Sequence, residues 1–316
     1  MRFVVLLALG CLSVAAAEPL RISVTRMPVS APIFVAKERG LFKKAGLEVE
    51  TREYELGKTA LEDLNAGRLD VAFAAVTPIV YSCMAGGDFR IVATAASSAN
   101  MVALAGRKDL GIQKVSDIRG KRVGLIRGTS GEFYFDTLRV LNRIPKGSVI
   151  VENRTVQGLL DGLQDGSLDI ISAWEPQIQT LRLSLTNRLV LFYGDGLYTF
   201  SWNMIALPKT ISSRRADLEK FVDVLFEAAD LIASDPDGIS MELGQRYGAI
   251  GRDLIVGFKE TRFRPQLGQE LLVQMEGEAR WIINRDELTN SPPNFLRWLD
   301  TSILKKAHPP AVTVIQ

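Results

Sequence analysis

Residues 158–176 of the chain (GLLDGLQDGSLDIISAWEP) have a near-copy at 60–78 (ALEDLNAGRLDVAFAAVTP). An offset of about 99 positions pairs Leu64 with Leu163, Gly67 with Gly166, Leu69 with Leu168 and Asp70 with Asp169. Both copies parse the same way. Leucines at helical spacing end at a glycine suited to a left-handed C-cap. A short apolar strand follows the aspartate. The turn after it closes on Pro78 or Pro176, where proline fits the first turn of a new helix. A helix–strand–helix unit present twice predicts two similar α/β lobes. In open α/β sheets ligands bind beyond the carboxyl ends of strands, where fresh helix N-termini point. The two proline turns are therefore expected to face each other across a cleft.

The flanking sequence extends this pattern. Strands are predicted over 20–25, 47–53, 70–75 and 89–96. Helices are predicted over 33–45, from Gly57 through the first repeat, and over 77–85. The alternation argues for a mostly parallel sheet. Residues 97–100 (SSAN) and the apolar 101–105 read as a crossing into a second lobe. There a strand over 122–126 leads through the loop 127–131 (RGTSG) into a helix over 132–142, and strands over 149–153 and 188–193 flank the second repeat. Residues 197–207 (LYTFSWNMIAL) would carry the chain back as a second crossing, and from 212 onward the pattern is helical, over 212–234, 236–247 and 266–285. The predicted organisation is a first part of lobe 1 over 18–99, lobe 2 over 100–203, and over 204–316 a return to lobe 1 with C-terminal helices.

Composition narrows the functional classes. At 316 residues, 47% hydrophobic and 23% charged, the chain is long enough for two domains of roughly 100–150 residues. Its 38 basic and 36 acidic residues leave a net charge of +2, with no basic run interleaved with aromatics, so no nucleic-acid partner is indicated. The largest basic cluster, Arg214-Arg215 with Lys209 nearby, reads as a solvated helix start. The N-terminus has the layout of a secretory signal peptide: Met1-Arg2, an apolar run over 3–14, and Ala15-Ala16-Ala17 before Glu18-Pro19, with the cut after Ala17. That run is too short to span a bilayer. Ala8 stands where a lipidation signal ending at Cys11 would want leucine, which argues against an anchor there. After cleavage Cys83 is the one cysteine left, so no internal disulfide forms, and its apolar helix reads as burying an inert thiol. The single histidine, His308, excludes a histidine triad or a multi-histidine metal site, and no cofactor is implied.

With these residues laid out, the chain resembles the solute-binding proteins of ABC importers in the nitrate/sulfonate/taurine and thiamine-pyrimidine group. The resemblance rests on residues 31–42 (APIFVAKERGLF), 46–50 (GLEVE), 67–70 (GRLD), 117–128 (DIRGKRVGLIRG), 166–169 (GSLD) and 174–176 (WEP). It covers essentially the whole mature chain. It implies a type II periplasmic-binding-protein fold: two lobes joined by two crossings, a ligand between them, and closure on binding.

Four loops are expected to converge on the cleft, at 26–30, 75–77, 128–132 and 174–175. The loop Arg127, Gly128, Thr129, Ser130, Gly131 leads into a helix whose first N–H groups and two hydroxyls suit an anion or a polar head group. The alternative is that Thr129 or Ser130 caps that helix, with Glu132 favouring its dipole. Ser30 and Thr77 are candidates in lobe 1. Trp174 can wall a small ligand or pack at the hinge. Glu175 is either a contact or a helix-start charge that repels anions. Arg26 and Arg127 could neutralise an anion, or point to solvent. Asn203, with Ser201 and Trp202, stands at the return crossing; Ser97, Ser98 and Asn100 stand at the first.

The leading expectation is passive capture: a monomer in the periplasm binds a small polar or anionic solute, closes, and docks on an inner-membrane permease. A ligand-sensing subunit would use the same parts. An enzyme on this fold, of the thiamine-pyrimidine or menaquinone precursor type, needs a base such as Glu132 or Glu175.

Overall fold

The computed structural model describes residues 18–194, 196–247, 260–286, 288–289 and 291–315; the leader expected over 1–17, with Cys11, lies outside them. Ten strands alternate with helices before the C-terminal part. β1 (Leu20–Val24), β2 (Val49–Glu53), β3 (Val71–Ala75) and β4 (Arg90–Ser98) precede β5 (Val102–Arg107), β6 (Arg122–Leu125), β7 (Ile150–Asn153), β8 (Ile170–Trp174) and β9 (Leu189–Phe192). β10 (Phe200–Ala206) follows, and the short β11 (Thr261–Arg262) comes after a helical stretch. Two sheets result, ordered β11-β4-β10-β3-β1-β2 and β7-β6-β8-β5-β9.

Both sheets are mixed. In the first, β1 runs parallel to β2 and β3, while β10 lies antiparallel between β3 and β4. In the second, β6 is parallel to β7 and β8, and β5 runs against β8 and β9. All of β3 and β10 is buried, which is why these strands carry near-continuous apolar runs instead of an alternation.

The two copies of the repeat fold alike. α3 (Gly57–Asn65) and α6 (Val156–Asp165) end at Gly67 (φ 74°) and Gly166 (φ 81°), both left-handed as a glycine permits. The aspartates do the same work. Asp70 accepts from the Arg21 backbone N–H at 2.9 Å and from both sides of its guanidinium at 3.0 and 2.9 Å. Asp169 accepts from the Arg122 backbone at 2.8 Å and from its guanidinium at 3.2 and 3.4 Å. Each carboxylate thereby pins the start of a neighbouring strand, β1 or β6. Leu64, Leu69, Leu163 and Leu168, the paired leucines, are all buried.

Several boundaries differ from the expected ones. The helix expected over 33–45 is two, α1 (Ala31–Glu38) and α2 (Leu41–Lys44), because Gly40 turns left-handed at φ 65° between them. The helix after β6, α5 (Ser130–Leu141), starts two residues earlier than 132. Strand β4 runs on to Ser98, so Ser97 and Ser98 pair with Ser201 and Phe200 in the first sheet and do not form a loop. Residues 197–207 are mostly strand: β10 pairs along its whole length in the first sheet, so the chain has returned to that sheet by Phe200 and the expected boundary at 203 falls inside a strand.

The remaining α-helices among the described residues are α4 (Val76–Met84), α7 (Gln177–Leu185), α8 (Pro208–Ser213), α9 (Arg215–Ser234), α10 (Pro236–Tyr247), α11 (Gln269–Arg285) and α12 (Ser302–Ala307). α9 packs on α1, and its Phe221 stacks on Phe42 with ring centroids 5.5 Å apart. α11 packs on α4 at the edge that faces the second sheet. Among the described residues no helix is long and apolar enough to cross a membrane.

Candidate functional site

The carboxyl ends of the strands of both sheets point at one another, and a cavity lies between them. Met27 enters it from the loop after β1, Gly57 and Lys58 from the turn after β2, and Ala75 and Pro78 from the start of α4. The second sheet supplies Thr129 and Ser130 after β6, and Trp174 at the end of β8. Phe200 and Trp202 of β10, their rings stacked with centroids 6.0 Å apart, complete the wall. The cavity is small, about 30 Å³, room for a water or two. A solute of drug-fragment size enters only if the sheets part.

Glycines set the approach of the walls. A Cβ at Gly57 would lie 2.8 Å from Ala74 Cα, the Phe73 carbonyl and the Trp202 ring, so the first turn of α3 rests directly on β3 and the indole. Gly128 is left-handed (φ 74°), and the Lys58 ammonium lies 3.2 Å from where its Cβ would be, which brings a cation of the first sheet's side onto the second sheet's loop. At the N-terminus of α5, Ser172 Oγ donates to the Gly131 carbonyl at 2.7 Å, and a Cβ on Gly131 would touch Trp174 at 3.4 Å.

Of the residues marked from the sequence, Thr129, Ser130, Trp174 and Trp202 line the cavity. Thr129 does not cap α5: its hydroxyl donates back to the Ile126 carbonyl at 2.7 Å. Gly131 stands one position behind the wall. Glu132 is committed elsewhere, one oxygen accepting from Gly128 N–H at 2.8 Å and the other paired with Arg285 at 2.9 Å. Arg26 turns outward to an exposed pair with Glu53 at 2.7 Å and lines an outer groove beside Pro176. Arg127 also stays outside the cavity, its backbone N–H donating to Asn153 Oδ1 at 2.9 Å. The buried Glu175 carboxylate accepts from Arg182 at 2.7 Å and from the Gln179 backbone at 3.1 Å, so it serves the start of α7.

Three candidates are internal struts or interior groups. Ser30 and Thr25 share a buried hydrogen bond of 3.0 Å. Asn203 takes the Thr94 hydroxyl at 2.7 Å and donates to the Ala74 carbonyl at 3.3 Å. Ser201, its neighbour, sits 3.3 Å from Gln274 of α11. Thr77 is fully buried inside the first turn of α4 and is turned toward Glu278 of α11.

Sequence reasoning missed Met27, Lys58 and the whole contribution of α11. Lys58 follows the same strand-to-helix logic as the loops that were marked. Glu278 had a signal too: it falls on the buried stripe Leu271, Met275, Glu278, Ile282, the one charged side chain at a core position of an amphipathic helix. Its carboxyl is fully buried, and that burial pushes its pKa up to about 7.

The architecture recurs among solved structures. The alkanesulfonate-binding protein SsuA of Xanthomonas axonopodis pv. citri, bound to MOPS, superposes with a TM-score of 0.74 at 18% identity, over 94% of this chain and 99% of that one. The desulfurization enzyme DSZB superposes with a TM-score of 0.63 at 14% identity, over 93% and 99%. The fold is therefore that of the periplasmic binding proteins, and a binder and an enzyme both use it. In sequence, a Brucella abortus (strain 2308) protein named as a candidate binding protein is 24% identical over 208 residues, 64% of this chain and 63% of its own length, so the chain spans a little under two thirds of that relative. A Bacillus subtilis (strain 168) protein named for binding aliphatic sulfonates is 24% identical over 223 residues, 66% of this chain and 67% of its own. The family model described as NMT1/THI5 like matches residues 27–239, more than half of the sequence, and the chain belongs to that family.

Proposed function

We propose that the chain is a substrate-binding protein that captures a small solute between two lobes, each built on one of the sheets, and hands it to an ABC importer. The observation that carries this reading is the cavity: both sheets aim their strand ends, one tryptophan each and a helix N-terminus at the same small volume. The chain passes from one sheet to the other twice, after β4 and after β9. Such a pair of connecting segments is a hinge about which lobes can open and close around a ligand. Relatives named for binding, and for binding sulfonates in particular, support the same reading. We read the leader over 1–17 as export to the periplasm, and the permease of the inner membrane as the partner.

Capture is preferred to catalysis because the cysteine, the histidine and the two carboxylates marked from the sequence as bases stand away from the cavity. Cys83 is buried in α4, and burial raises its thiol far above the ordinary range. His308 stacks on Phe226 beside Asp223, on the outer face of the first sheet's helices. Glu132 and Glu175 hold arginines.

The test is a thermal-shift panel on the mature chain beginning at Glu18, with sulfonates, nitrate, bicarbonate, pyrimidines and amines. A solute at ~100-fold over its dissociation constant adds about 2.7 kcal/mol of stability, a shift of several degrees. The shift should vanish in Trp174→Ala. A shift that survives loss of Trp174 would move binding out of the cleft.

A further inference from the structure

Directly behind the cavity wall lies a group of buried polar atoms that the protein leaves unpaired. Glu278 Oε1 accepts from Gln274 Nε2 at 3.0 Å, while Oε2 has no hydrogen-bond partner. Thr77 Oγ1 and the Tyr198 hydroxyl are equally buried and make no hydrogen bond of normal geometry, only loose approaches, Thr77 to Glu278 and Tyr198 to Ser130 and Gln274. Yet they are close together: Thr77 is turned toward Glu278, and Tyr198 lies beside Ser130, Gln274 and Glu278. Buried polar atoms in native proteins are nearly always satisfied. Several orphans in one place mark a spot completed by something else.

The group is continuous with the cleft. Ser130 belongs both to the cavity wall and to the surroundings of Tyr198. Thr77 sits between Val76 and Pro78, and Pro78 lines the cavity. Trp202 presents a further orphan, Nε1, from a ring on the same wall. Parting the sheets to admit a solute would open this floor to it.

The chemistry of the set is asymmetric. With Ser130 it holds one carboxyl and three hydroxyls able to accept, and no lysine or arginine is paired with Glu278 among the described residues. A lone buried carboxylate is costly until a proton or a cation joins it. A sulfonate or nitrate offers only acceptors and a like charge. An ammonium or amidinium offers several N–H donors and the missing charge.

We infer that Thr77, Ser130, Tyr198 and Glu278 form a recognition subsite at the cleft floor for a protonated amine or amidine of the solute. This rests on the reading of the cleft as a solute site and narrows its ligand from polar or anionic to cationic or zwitterionic. Glu278 supplies the counter-charge, and the three hydroxyls accept the remaining N–H groups. Because burial holds the Glu278 carboxyl partly protonated near neutrality, binding of a cation expels that proton.

The test is calorimetric titration of the mature protein with four probes on one ring: benzamidine, benzylamine, benzamide and benzenesulfonate. The proteins are wild type, Glu278→Gln, and Glu276→Gln as a control on the exposed face of α11. Binding of benzamidine or benzylamine is expected, weakened at least tenfold by Glu278→Gln and unchanged by Glu276→Gln. Near pH 6.5 the heat should depend on buffer ionisation, reporting proton release. If Glu278→Gln lacks a cooperative melt, Tyr198→Phe, which deletes one hydroxyl, replaces it, with at least a threefold loss expected. Cation binding that is indifferent to these variants overturns the subsite. Benzenesulfonate binding that Trp174→Ala abolishes and Glu278→Gln spares also overturns it while leaving solute capture standing. Binding of none of the four overturns it as well, and capture is then decided by the wider solute panel.

Discussion

Glu132 and Arg285 form a 2.9 Å ion pair that ties the helix leaving the second sheet to the C-terminal helix packed on the first. The Arg285 guanidinium also lies 4.7 Å over the Trp281 ring and 5.7 Å over Tyr81. Trp281 Nε1 donates to Asp136 at 2.8 Å, one turn further along α5. α11 is thus a strap across the mouth of the cleft. Arg285→Ala removes the pair and both ring contacts and leaves Glu132 with only the Gly128 N–H. For groups mostly withdrawn from water the expected loss is about 2 kcal/mol, read by urea unfolding. Small-angle scattering should show a larger radius of gyration as the lobes part. An unchanged radius would mean that the strap does not govern opening.

Stability should pass through a maximum in mildly acid solution. Burial pushes the Asp70 and Asp169 carboxyls up, but the side-chain and backbone hydrogen bonds from Arg21 and Arg122 outweigh it and leave both lowered. A lowered carboxylate contributes stability above its unfolded pKa of about 4, and that contribution is lost as pH falls through the folded value. Glu278 acts in the opposite sense. Its folded pKa, raised to about 7 by burial, means that the folded state holds a proton which the unfolded state releases near 4.5, so stability falls as pH rises between these two values. The loss is on the order of 3 kcal/mol. Glu278→Gln should flatten the upper limb only, and a fall above pH 5 that survives in this variant would assign it to another group.

Gly57→Ala should destabilise by crowding alone, without removing any polar group. The added methyl meets backbone at 2.8 Å on two sides and the Trp202 ring on a third, and backbone cannot yield as a flexible side chain can. Overpacking of this kind costs roughly 1–3 kcal/mol. The melting temperature is the readout, and a neutral result would mean that α3 slides on β3.

Cys83 should be silent toward a disulfide reagent in the native protein and react stoichiometrically once unfolded. Its thiol is buried and burial opposes the thiolate, the reactive form. Rapid labelling under native conditions would reveal local opening of α4.

The repeat made the paired units legible, because Leu64, Gly67 and Asp70 act within one local stretch and are copied at Leu163, Gly166 and Asp169. The loops after β1, β3, β6 and β8 could be marked for the same reason. Side-chain direction was not legible. Arg26 sits in one of those loops yet turns outward, Arg127 lines a wider groove with Lys58 and Arg285 instead of the cavity, and Glu175 and Asn203 are consumed by partners at Arg182 and Thr94, distant in kind or in sequence. Glu278 lies more than 140 residues from Ser130, and only the packing of α11 brings them together. A charged residue inside an apolar stripe was the one local trace it left.

The central place of β10 bears on how the molecule comes to exist. Every residue of the second sheet lies between Val102 and Phe192, so that half has all its strands once the chain has been made that far. The first sheet cannot close then, for the strand that joins β3 to β4 has yet to appear. Until it does, β3 and β4 each present an open edge, the kind of surface that pairs with the wrong partner. Synthesis therefore assembles the inserted half first and leaves the half that begins the sequence waiting for its end. A nonsense codon falling after Phe192 and before Phe200 should yield a folded second half carrying an unfinished, aggregation-prone first one.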